Sequence, residues 1–227
     1  MSRKKAQTET LVVPKLQEPF KPKTKGQADY LRTLVENTVT FVTGDAGTGK
    51  SYLALGLAAS YLLEGRYDTL VVARPAVEAS KKGLGFLPGD VSEKMAPYLN
   101  PTIKHLKRFL GNDLYFNLIR DNRIQFHSLE YMRGQTFDYS FMMLEEGQNA
   151  DYEQLVMFVT RMGINSKVLI NGDIQQTDLR HKGEDSDLFR MINKIKNLDN
   201  FGVASLTEDD IVRNPIIIDF LRATKGI

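Results

Sequence analysis

Short β-branched runs alternate along this chain with longer stretches of helical periodicity, and glycine or proline punctuates most of the joins. Six apolar runs predict strands buried in a sheet: 38–43, 69–75, 124–127, 141–144, 167–171 and 203–206. Tyr30, Leu31, Leu34 and Val35 recur at helical spacing within 27–37, and an Ala/Leu-rich run over 52–64 predicts a buried helix ending at Gly65. Leu155 to Met162 predicts a helix closing at Gly163, and Leu188, Met191, Ile192, Ile195 and Leu198 form an amphipathic stripe. A last helix with Ile217, Phe220 and Leu221 follows Pro215. Strand and helix in alternation imply an α/β fold with a mostly parallel sheet, helices on both faces, and sites at the carboxyl ends of the strands.

Two segments break this rhythm. Residues 1–25 are polar, lysine-rich and interrupted by Pro14, Pro19 and Pro22, which predicts a flexible basic arm ahead of one domain spanning 26–227. Residues 76–123 read as a loop and helical insertion, with a loop at Gly85–Asp90 and helical stretches over 93–99 and 101–110. There Phe86, Tyr98 and Phe109 interleave with Lys94, Lys104, Lys107 and Arg108. Such a mixture either grips a single-stranded nucleic acid by charge and stacking or supplies ordinary core aromatics.

Composition narrows the chemistry. The 227 residues contain no cysteine, which excludes disulfides, zinc–thiolate sites and thiol catalysis, and the three histidines are scattered. The net charge of +2 conceals an asymmetry: seven Lys/Arg against two Glu in residues 1–25 give that segment +5, leaving −3 on the remainder. The arm is thus either a nucleic-acid anchor or a solvated leader. No apolar run is of membrane-spanning length and no signal-peptide core opens the chain, so a cytoplasmic location is expected.

The strand 38–43 runs directly into Gly44-Asp45-Ala46-Gly47-Thr48-Gly49-Lys50-Ser51, the pattern G-x-x-x-x-G-K-[ST], and the buried helix starts at Tyr52. A strand-to-helix turn of this kind offers backbone N–H groups and the positive end of a helix dipole to a polyphosphate. The glycines let the backbone approach, Lys50 reaches the β- and γ-phosphates, and the Ser51 hydroxyl holds magnesium. Strand 141–144 delivers Glu145 and Glu146 at its carboxyl end, where one carboxylate holds magnesium and the other orients or deprotonates an attacking water. Gln176, beyond strand 167–171, can sense a γ-phosphate. Gln27 either reads the edges of adenine or is a surface residue at a helix start. Arg74 closes its strand where it can meet a phosphate or a nucleic-acid backbone.

The segments GDAGTGKSYLA, ARPAVEA with GFLPGD, EYMRGQT, EEGQN, NGDIQQTDL and EDDIVRNP, in this order, resemble the PhoH family of phosphate-starvation-inducible ATPases over about residues 27–222. That family is similar to the first motor domain of superfamily 1 helicases. The resemblance implies a RecA-like P-loop fold, ATP and Mg2+ as ligands, and RNA as the polymer acted on. It implies Gln27 as the adenine reader, with Lys50 and Ser51 on phosphate and magnesium. Glu146 becomes the water-activating acid and Gln176 the γ-phosphate sensor. Arg213 becomes an arginine finger, with Arg161 as its rival, and Arg74 and Arg133 turn toward a nucleic-acid strand. One departure stands out: Glu145 replaces the usual aspartate and Gly147 the usual alanine, and the extra methylene of Glu145 either crowds magnesium or turns its carboxylate aside.

Only one motor domain fits in this length, so a second wall for the nucleotide must come from another subunit. A homo-oligomeric ring, a hexamer by the resemblance, satisfies every subunit alike. The expected function is magnesium-dependent ATP hydrolysis coupled to single-stranded RNA or DNA. A nucleotide-sensing module with little hydrolysis and a small-molecule kinase are the alternatives.

Overall fold

The computed structural model describes residues 15–75, 91–174, 186–212 and 216, with the backbone alone described over 91–98. The expected α/β class is observed. Strands β1 (Val39–Gly44), β2 (Thr69–Arg74), β3 (Ile124–Ser128), β4 (Ser140–Leu144), β5 (Lys167–Gly172) and β6 (Phe201–Leu206) form one sheet in the order β3-β2-β4-β5-β1-β6. Every pairing in it is parallel. The helices are α1 (Lys25–Glu36), α2 (Lys50–Leu63), α3 (Val91–Leu110), α4 (Asn112–Arg120), α5 (Tyr152–Val159) and α6 (Asp187–Ile195).

The period-2 alternation of the strands divides the interior in two. Val42, Leu70, Val72, Phe141, Met143 and Leu169 face α1 to α4, whereas Phe41, Val71, Met142, Leu144, Val168 and Ile170 face α5 and α6. Leu53 to Ala59, Tyr61 and Leu62 of α2 are all buried, which is why this helix shows almost no polar face. No helix among the described residues is long and apolar enough to cross a membrane.

The insertion differs from its sequence reading. Helix α3 runs unbroken past Pro101, where a break was expected, and α4 follows it unanticipated. An interior proline costs a helix about 3 kcal/mol, but Leu99, Ile103, Leu106 and Leu110 stay in phase across it and pack into the core, offsetting that loss. The same burial decides between the two readings of Phe109 in favour of the core: it is fully enclosed, against Tyr52 at 5.1 Å and Phe20 at 6.2 Å between ring centroids, and offers no face to a base. Lys107 lies 4.6 Å from the ring centre of Phe116. Phe86 lies outside the described residues, as do the side chains of Lys94 and Tyr98.

The described part of the basic arm is laid against the domain. Gln17 N–H donates to Phe109 O at 2.7 Å, Glu18 pairs with Arg108, and Leu16 and Phe20 pack on the core. Thr24 then caps α1, its side chain accepting from Gln27 N–H at 3.1 Å. At the other end of α1, Lys167 is buried at the start of β5. Its ammonium donates to Leu34 O at 2.7 Å, to Val35 O at 3.5 Å and to Asn37 O, so a cation satisfies the helix's last carbonyls. Burial pulls its pKa down to about 8. Helix α1 is thereby fixed at both ends, with Gln27 held at the end nearest the phosphate loop.

Lys167→Met keeps the length and removes the donor. It is expected to cost about 1–3 kcal/mol, read as a lower thermal midpoint at roughly 2–4 °C per kcal/mol. An unchanged midpoint would mean that water replaces the ammonium at those carbonyls.

Candidate functional site

Strand order decides what meets at the carboxyl edge. Because β2, β4, β5 and β1 are consecutive neighbours, Arg74, the acids Glu145 and Glu146, the turn Asn171–Asp173 and the phosphate loop end side by side. They line one cleft of about 510 Å³, together with Gln27, Tyr52, His105, Arg108, Gln148 and Val212.

The loop is shaped by its own backbone. Gly44, Gly47 and Gly49 all have positive φ, and a Cβ at Gly44 would stand 2.6 Å from Leu206 O, a backbone atom that cannot step aside. Thr48 Oγ1 donates to Asp45 O at 2.8 Å and is buried, so Thr48 and Asp45 close the loop, whereas Ala46, Gly47, Gly49, Lys50 and Ser51 line the cleft. Gly49 precedes α2 in the left-handed conformation with no side-chain cap, which leaves the first amides of α2 for an external acceptor. The Lys50 ammonium donates to Gly44 O at 2.5 Å and Asp45 O at 2.9 Å. Burial lowers its pKa, an effect opposed by Asp173, Glu145, Glu146 and Asp45 around it.

Gln27 is buried beside the loop. Its side-chain amide donates to Thr48 O at 3.0 Å and Asp210 O at 3.3 Å, and its carbonyl accepts from Lys23 N–H at 2.7 Å. Asp210, buried, binds Thr24 Oγ1 and accepts from Thr207 N–H at 2.9 Å, which ties the chain after β6 to the start of α1. Val212 N–H then donates to Gly47 O at 3.2 Å, so the residue before Arg213 lies on the loop. Arg213 and Gln176 themselves lie outside the described residues. Tyr52 lines the cleft with its ring edge-on to His105, at 5.5 Å between ring centroids.

The two acids have different surroundings. Glu145 is buried, and desolvation raises its pKa to about 7 despite the Ser51 hydrogen bond. Its Oε2 accepts from Ser51 Oγ at 3.0 Å and from Asn171 Nδ2 at 2.7 Å, so the longer side chain is turned toward the phosphate loop. Its Oε1 is buried with no hydrogen-bond partner among the described residues, and so is Asn171 Oδ1. Buried oxygen acceptors next to a P-loop serine fit a hydrated divalent cation, with Ser51 and Glu145 as the residues that would hold it. Glu146 is half-exposed and occupies the left-handed region at φ 54°, ψ 39°, a strained conformation for a residue with a Cβ. Its carboxylate accepts from Gln148 Nε2 at 2.6 Å and lies 3.6 Å from the Arg74 guanidinium. Gln148, buried, also accepts from Asp173 N–H at 2.9 Å.

Arg74 therefore sits inside the cleft beside Glu146. Arg133 is exposed after the short turn of 3₁₀ helix Leu129–Met132 and does not line the cleft. Arg161 donates to Gln135 O at 3.1 Å, on the loop that carries Arg133, and does not line the cleft either. Gln148, Asn171 and Asp173 were not singled out from the sequence. Their signal, polar residues just past apolar strands, gains meaning only once β5 is known to lie between β1 and β4.

Comparison with known proteins agrees with this arrangement. The family profile described as PhoH-like protein matches residues 19–225. A PhoH-like protein of Bacillus subtilis is 40% identical over 201 residues, covering 88% of this chain and 62% of that protein. Protein PhoH of Escherichia coli K12 is 34% identical over 200 residues, covering 87% of this chain and 56% of that protein. The chain thus spans about three-fifths of the length of these relatives. Among solved structures, the Hef helicase domain of Pyrococcus furiosus aligns with 81% of this chain and 38% of its own, at 10% identity and a TM-score of 0.48. With the profile running through nearly the whole domain and the phosphate loop and paired acids standing in one cleft, the chain belongs to the PhoH-like protein family.

Proposed function

We propose that this chain is a magnesium-dependent ATPase domain whose turnover responds to single-stranded RNA or DNA and which works in a homo-oligomeric ring. The observation that carries the reading is the convergence of Lys50, Ser51, Glu145 and Glu146 on one cleft at the open N-terminus of α2. Lys50 now spends its charge on loop carbonyls and would exchange them for phosphate oxygens, a stronger acceptor. Gln27, beside Gly49, would exchange its present bonds to Lys23, Thr48 and Asp210 for an adenine edge and so select ATP. Magnesium, held through Ser51 and Glu145, would neutralise charge on the β- and γ-phosphates.

Glu146, the more exposed acid, is the group to position water. It would accept the proton at its carboxylate as the water oxygen bonds to the γ-phosphorus and the bridging β–γ oxygen leaves. Arg74 and Gln148 hold this carboxylate, and their positive charge and hydrogen bond compete with the water for it. Gln176 would report the γ-phosphate, and Arg213, from a neighbouring subunit, would steady the transition-state charge. A ring, hexameric by family resemblance, supplies that neighbour to every subunit. The hold on Glu146 also favours a second reading, a nucleotide sensor with little hydrolysis.

Phosphate release, measured with and without single-stranded RNA at several protein concentrations, separates these readings. The ATPase reading predicts turnover per chain that rises with RNA and with concentration. In Arg213→Ala, turnover is expected to fall about 10³-fold with ATP affinity nearly kept. Tight ATP binding with negligible release under all conditions would establish the sensor instead, and full activity in a monomer would remove the ring.

A further inference from the structure

The serine and the acid that would hold the cation do not come from neighbouring strands. Ser51 starts α2 behind β1, Glu145 follows β4, and β5 separates those two strands. The end of β5 therefore stands between the two side chains, and the residue there is Asn171.

We infer that Asn171 is a positioning residue for the cation site, setting the Ser51–Glu145 pair; this rests on the ATP–magnesium reading above. A carboxamide nitrogen carries two hydrogens in a fixed plane. Nδ2 of Asn171 places one toward Ser51 Oγ at 2.9 Å and the other toward Glu145 Oε2 at 2.7 Å. Ser51 Oγ in turn donates to the same Oε2 at 3.0 Å, which closes a triangle of three polar atoms. The amide orientation follows from charge, since a flipped Asn171 would press Oδ1 against a carboxylate oxygen.

The triangle matters because of the acid present here. Glutamate has one more rotatable bond than aspartate, and its carboxylate needs an external hold to face the phosphate loop. Asn171 supplies that hold from a strand that cannot shift, paired as it is with Val42 in the sheet. Its amide makes both of these bonds to the cation-site residues, and its Oδ1 is left buried beside them without a hydrogen-bond partner among the described residues, as is Glu145 Oε1. A residue kept only for packing would have been apolar, like Leu169 and Ile170 before it. The side chain is therefore read as part of the cation site, acting through Ser51 and Glu145.

The test is binding of a fluorescent ATP analogue to the unmodified protein and to Asn171→Leu, first in EDTA and then across a magnesium titration. The substitution keeps the shape and removes both donors. The expected result is an EDTA affinity within about twofold of the unmodified protein and a magnesium midpoint raised about tenfold or more. In the Glu145→Asp background the Asn171→Leu shift is expected to shrink, because the shorter acid no longer reaches the amide. Should the leucine variant fail to fold by circular dichroism, Asn171→Ser, too short to reach both partners, must show the same selective shift. An unchanged magnesium midpoint, or an equal loss of affinity with and without metal, overturns the role of Asn171 while leaving the nucleotide reading intact. No binding of the analogue by the unmodified protein in either condition overturns that reading and this assignment together.

Discussion

An apolar helix packed flat on the middle of a sheet must offer its first amides to something other than its own carbonyls. Helix α2 meets that requirement with a loop of glycines and a lysine rather than with a capping side chain. The arrangement leaves donors and positive charge converging on open space at the carboxyl edge, which suits a polyanion. The rest of the cleft is built on that loop: Gln27 braces it from α1, Val212 from the chain after β6, and Glu145 faces it from β4.

The acids show how burial divides labour between two like side chains adjacent in sequence. Glu145 is enclosed, its pKa pushed up to about 7 by desolvation, so a cation's charge would be the natural compensation for keeping it ionised. Glu146 reaches the half-exposed side of the cleft through a left-handed backbone turn and is met there by Arg74 and Gln148. One carboxylate is thus aimed at the helix start and the other at the space beyond it. The longer Glu145 is accommodated by an amide from the intervening strand, and Gly147 after it leaves no room for a Cβ, which would lie 2.8 Å from Ile170 Cγ2.

Much of this was legible in the residues because the signals are local. β-Branched runs mark the strands and the Gly-Lys-Ser pattern marks the loop; two acids after an apolar run mark the second half of the site. What escaped depends on strand order and packing, which no local pattern encodes. Asn171 reads as the tail of a strand until β5 is seen between β1 and β4. Arg74 reads as a contact for a phosphate or a nucleic-acid backbone, and its place beside Glu146 follows only from β2 lying next to β4. Pro101 reads as a break for a related reason: the stripe that buries α3 overrides the proline, and the same stripe decides Phe109 for the core. The expected arm, over its described part, is held by Phe20 and Gln17, whose partners are far away in sequence.

Calorimetric titration of ATP–magnesium into the unmodified protein and Lys50→Ala tests the central claim most directly. The account predicts a saturable, single-site isotherm for the unmodified protein and a loss of affinity of about 10–100-fold in the variant, as removal of a charge-assisted contact requires. Undiminished affinity in Lys50→Ala would contradict it, since the phosphate loop would then not be where the triphosphate sits.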